Sequence, residues 1–90
     1  MKTQDISRSI LNYIDEFGKL PVAIHKMPLD VLCLVEHDLY ARCIRLMDEL
    51  TTATNNQQYV HVLDIEEEID QFDSAANIVT NIVFSIGEDT

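Results

Sequence analysis

Ninety residues with a formal net charge of −10 bound the chain to one acidic domain spanning 1–90. An apolar content of 47% supplies a core and excludes a globally disordered chain, although so short a chain buries only about 60% of its unfolded surface. The charge disfavours nucleic acid and anionic membranes as direct partners and favours basic protein surfaces.

The first predicted element is a helix that Thr3 or Asp5 can cap. Ile6, Ile10, Tyr13, Ile14 and Phe17 follow at helical spacing and make one apolar stripe. Gly18 stands where a left-handed C-terminal cap is wanted, and Pro21 prevents continuation. Leu20 to Met27 reads as a short connector, or as a short strand with Leu20, Val22 and Ile24 on one side. Pro28 then suits the first turn of a second helix, expected from Leu29 to about Thr52. Leu32, Val35, Leu39, Leu46 and Leu50 mark its inner face, with Ile44 and Met47 beside it. Arg42 interrupts this stripe, which predicts a bend or partial exposure there. Thr51 to Gln58 (TTATNNQQ) is polar and aperiodic and reads as the one clear loop.

In the last segment Val62, Ile65, Ile69, Phe72, Ala76, Val79, Val83 and Ile86 are spaced 3, 4, 3, 4, 3, 4, 3. Such a heptad stripe predicts one long helix ending at Gly87. The β-branched runs at 59–65 and 78–86 also alternate passably, but the acidic middle (EEEID) is a poor strand. The expected fold class is therefore all-α, with about three helices and a long C-terminal one. The alternative is α+β, with short strands near 20–26 and 59–65.

Charge is segregated along this framework. All six Lys and Arg lie at or before Arg45, where six acids balance them. The remaining ten acids are Asp48, Glu49, Asp64, Glu66, Glu67, Glu68, Asp70, Asp73, Glu88 and Asp89, and they form the candidate partner-binding set. On a helix, Asp64, Glu67, Asp70 and Asp73 are read as lining one side, with Glu66 and Glu68 flanking. Five pairs three or four apart are then like-charged, at a few tenths of a kcal/mol each, or roughly 1–2.5 kcal/mol in all. Folding does not require this cluster, and no basic residue on the same segment compensates it. Carboxylates at i, i+3 and i+4 rise about 4.5–6 Å along a helix, against one charge about every 3.4 Å along a DNA strand. One such face is somewhat sparse, and two brought together by a dimer come close.

Other chemistry is thinly supported. Cys33 and His37 are four apart, with Cys43, His25 and His61 as further possible ligands, but the paired short spacings of structural zinc sites are absent. DIEEEIDQFD lacks the glycine of a calcium loop. Neither metal nor cofactor is expected, and the two cysteines read as reduced thiols. Asp73-Ser74 resembles the attachment site of acyl carrier proteins, yet only residues 75–90 follow where that family needs two further helices. No Ser–His–Asp pattern or phosphate loop occurs, so an enzyme is not expected. The N-terminus has no signal-like run, and no stretch approaches the roughly 18 apolar residues of a membrane span, so a cytoplasmic protein is expected.

A short, strongly acidic chain with carboxylates stacked over Asp64–Asp73 resembles the small DNA-mimic inhibitors encoded by phages, in the manner of the anti-restriction nuclease protein of T4-type phages. The resemblance rests on charge distribution over the C-terminal half; the charge-balanced first half, with Arg42 and Arg45, departs from it. It implies an oligomeric inhibitor, active in a bacterial host, that occupies the DNA site of a restriction or nucleoid protein. The alternative is a helical adaptor or oligomerisation module, antitoxin-like or polymerase-binding. A homodimer or higher oligomer is also expected because the heptad stripe is longer than a lone small fold usually needs.

Overall fold

The computed structural model describes residues 2–88, and side chains as far as Gly87. The described residues are all-α, with no strand. The first helix, α1, runs Thr3–Phe17; a 3₁₀ turn covers Val22–Lys26; α2 runs Leu29–Asn55 and α3 runs Tyr59–Glu88.

Helix α1 starts without the predicted cap. Lys2 is the N-cap residue, with extended backbone and no side-chain bond, while Thr3 and Asp5 lie inside the first turn. Asp5 still faces the positive end of the helix dipole there. The C-terminus is as expected. Gly18 adopts φ 72°, and its N–H donates to the Ile14 carbonyl at 2.8 Å. A β-carbon there would pack 3.4 Å from Gln71 Nε2, so backbone strain rather than space selects glycine.

The segment near 20–26 is not a strand. Ile24 N–H bonds to the Pro21 carbonyl at 3.1 Å, and Ile24 is buried while Val22 and Ala23 face solvent. One anchored side chain replaces strand alternation. The segment near 59–65 is not a strand either, because α3 starts at Tyr59 and passes through it.

The predicted loop over Thr51–Gln58 is mostly helix. Three hydroxyls bond back by four residues: Thr51 to the Met47 carbonyl (3.1 Å), Thr52 to Asp48 (3.2 Å) and Thr54 to Leu50 (2.8 Å). Ala53 is buried and continues the inner face three residues beyond Leu50. Polar composition marked an exposed flank here, not a break. The true turn is Asn56–Gln58 and forms a Schellman motif. Gln57 N–H donates to Thr54 (3.1 Å) and Gln58 N–H to Ala53 (2.9 Å). Gln57 takes φ 60°, a conformation usually given to glycine. Gln57→Gly is therefore expected to raise stability by up to about 1 kcal/mol, read as an upward shift of the urea midpoint with an unchanged slope.

The inner faces match the periodicity. Helices α2 and α3 form an antiparallel hairpin, in which Leu32, Val35, Leu39, Cys43 and Leu46 meet Ile65, Phe72, Ala76 and Val79. The other heptad residues of α3, Val62, Ile69, Val83 and Ile86, are half-buried against the same cluster. Gly87 does not end α3, which continues to Glu88. Helix α1 adds Ile10 and Ile14 to the core and lies beside Leu34, Asp38 and Arg42 of α2. The heptad stripe is thus covered inside one chain, and it no longer argues for an oligomer.

Two polar clamps fix α1. Ser7, fully buried, donates to Asp38 Oδ2 at 2.6 Å. Arg42 pairs with Asp15 at 3.2 Å, and its guanidinium lies 4.9 Å from the centre of the Phe72 ring. The interruption of the α2 stripe by Arg42 is therefore a mostly buried bridge between all three helices. Its position gave the signal in the sequence; its partners, 27 and 30 residues away, did not.

Candidate functional site: an acidic hairpin

Asp48, Glu49, Asp64, Glu66, Glu67, Glu68, Asp70 and Asp73 are all exposed. Glu88 is the last residue of α3, and Asp89 lies outside the described residues. Among the described residues the one ion pair is Arg42–Asp15, so none of the eight exposed acids has a cationic partner within 4.0 Å.

The four acids at 64, 67, 70 and 73 do not line one side. Each three-residue step falls about 60° short of a full turn, so the row winds around the outer surface. Its members consequently meet different neighbours. Asp70 lines a cleft with Gly18, Lys19 and Gln71, on the α1 side. Asp73 is close enough to Cys43 of α2 to act on its thiol. Glu66 and Glu68 fill the gaps, and negative charge covers most of the solvent surface of this stretch.

The hairpin adds two acids from its other strand of chain. Arg42 stacks on Phe72, and Asp73 acts on Cys43, which sets the level at which α2 passes α3. Moving on along α2 to Asp48 and Glu49 means moving back along α3 by a similar number of residues, into the stretch 65–72. From Asp64 to Asp73 the helix rises about 14 Å. Eight carboxylates gather within that rise.

Cys33 is exposed and Cys43 buried. Among the described residues no three His, Cys, Asp or Glu side chains are grouped to hold a metal ion. Burial first, and then the charge of Asp73, push the Cys43 thiol above its ordinary range. A raised thiol stays neutral in the folded chain where the unfolded one ionises. This contribution to stability is complete below the unfolded thiol range and is lost as pH climbs through the folded value. Cys33 is expected to react at once with a disulfide reagent at mildly alkaline pH, while Cys43 lags. Cys43→Ser should flatten the alkaline loss of stability. Equal labelling rates in the folded protein would contradict this. Replacing both cysteines is expected to leave partner binding intact.

No helix among the described residues is long and apolar enough to cross a membrane. Comparison with protein-family models, with curated proteins and with solved structures gave no match, so the acidic hairpin itself is what bears on function.

Proposed function

We propose that this chain is an acidic inhibitor that mimics the charge of DNA and occupies the DNA-binding site of a basic bacterial protein, such as a restriction or nucleoid protein. The observation that carries the reading is charge density. Duplex DNA bears about one charge per 1.7 Å of axis, or about eight over 14 Å. Eight exposed carboxylates of a single chain occupy the same rise, because the acids wind around α3 and Asp48 and Glu49 join them from α2. Pairing of two acidic faces in a dimer, expected from a single sparse face, is not needed to reach that density. The reading gives the chain no catalytic role, metal or cofactor, and places its action in the cytoplasm of a bacterial host.

The immobilised protein tests this against a bacterial lysate. Retained basic proteins should elute with duplex DNA and with moderate salt, because counterions compete for the same contacts. Retention that resists both duplex DNA and salt would remove the mimic reading and favour a helical adaptor that binds through apolar contacts.

A further inference from the structure

The α2–α3 hairpin has two broad sides, and α1 covers one of them. Leu34, Asp38, Arg42 and Arg45 of α2 lie on that side. Among the described residues nothing covers the other side. Its register follows from one bond: the Tyr40 hydroxyl meets Thr80 Oγ1 at 3.1 Å. Heptad steps keep to one side of a helix. From Tyr40 the row continues to Met47, and Ile44 lies between them at four-residue spacing. From Thr80 the antiparallel row runs back to Asp73 and Glu66.

On α2 three apolar side chains are exposed along the bare side: Tyr40 (41%), Ile44 (69%) and Met47 (53%). Acids border this strip on both flanks, Asp48 one turn beyond Ile44 on α2 and Asp73 and Glu66 on α3. Arg45, the nearest cation in sequence, lines the α1 side instead, in a cleft with Leu11 and Asp38.

We infer that this side of the hairpin seats a cationic amphipathic helix of a partner protein, whose apolar stripe covers Tyr40, Ile44 and Met47 and whose Lys and Arg side chains meet Asp48, Glu66 and Asp73. The inference deepens the proposed function, on which its choice of a basic partner rests, by giving the partner's contact element. Charge decides the occupant. A second copy docked through the same patch would set these acids against themselves, and residues 46–90 contain no Lys or Arg to relieve them. A basic helix relieves every one of them. A helix is the fitting form, since the opposite side of the same hairpin already holds one, α1, by apolar burial, the Ser7–Asp38 hydrogen bond and the Arg42–Asp15 pair.

The probe is a fluorescein-labelled synthetic peptide of Leu and Lys, about 18 residues long, with Leu at helical i, i+3, i+4, i+7 spacing. A peptide of the same composition with Leu scattered around the helix controls for charge. The wild-type protein should bind the amphipathic peptide at least about tenfold more tightly than the scattered one. Ile44→Ser with Met47→Ser should abolish that advantage while leaving the weaker binding of the scattered peptide unchanged. Both sites are more than half exposed, so the helical circular dichroism should not change. Should the double variant misfold, amide shifts of the wild-type protein decide. Peptide should move Tyr40, Ile44, Met47 and Asp73, and shifts confined to Leu34 and Asp38 would overturn the inference. Equal binding of the two peptides would overturn it while leaving the acidic inhibitor standing. Failure of both peptides to bind would count against both. Sedimentation showing a dimer that the double variant splits would assign the strip to a second copy and overturn the proposed occupant.

Discussion

Phe72→Ala is expected to destabilise the protein by about 3–5 kcal/mol, close to everything a domain of this size possesses. Phe72 is fully buried and is the largest of the fully buried side chains. It lies under Arg42, which also pairs with Asp15, so the ring supports α1, α2 and α3 at once. Truncation opens a cavity at the centre of the three-helix region. It also takes away the aromatic face that Arg42 stacks on, weakening the Arg42–Asp15 clamp. In a domain of 60–100 residues each kcal/mol moves Tm by about 4–8 °C, so a loss of at least 10 °C is expected in a thermal melt followed at 222 nm. Phe72→Leu, which conserves most of the volume, should cost less than half as much. A fall of only a few degrees for Phe72→Ala would show that the helices hold without this contact.

The heptad run that includes Phe72 was legible because it is long. Eight apolar residues at alternating spacings of three and four fix a helix whatever the β-branched content around them. Gly18 was legible for a similar reason, since a glycine at the end of an apolar stripe has a specific backbone use. The turn at Asn56–Gln58 was not, because the left-handed position holds Gln57 instead of glycine. Nor did polarity separate a helix flank from a loop. Thr51, Thr52 and Thr54 satisfy their hydroxyls on the preceding turn and stay helical.

The candidate site was legible in its residues and not in its shape. Counting acids needs no structure. Their winding around α3, and the level of Asp48 and Glu49 against the same stretch of α3, depend on how two helices pass each other. The same holds for Ile44 and Met47. Sequence placed them beside the inner face, and the structure leaves both exposed, because α1 covers only one side of α2.

Neutralising Glu66, Glu67, Asp70 and Asp73 together, as Gln or Asn, is expected to move stability and binding in opposite directions. The substitutions keep shape and remove four charges from a net −10. They abolish four like-charge pairs, 64–67, 66–70, 67–70 and 70–73, and leave 64–68 in place. At a few tenths of a kcal/mol for each exposed pair, the folded state should gain about 1 kcal/mol. None of these acids is paired with a cation in the folded chain, so no favourable contact is lost to offset that gain. The effect on a basic partner is larger. Mimicry of a phosphate backbone depends on summed charge, and each lost contact also removes a share of the salt dependence. Affinity at low salt should fall by at least about tenfold, and the plot of log K against log salt should become shallower. A surface shaped only by solubility would not give this pair of signs. It would gain the same stability and lose nothing in binding, and that outcome would hand the function to the apolar strip of Tyr40, Ile44 and Met47 alone.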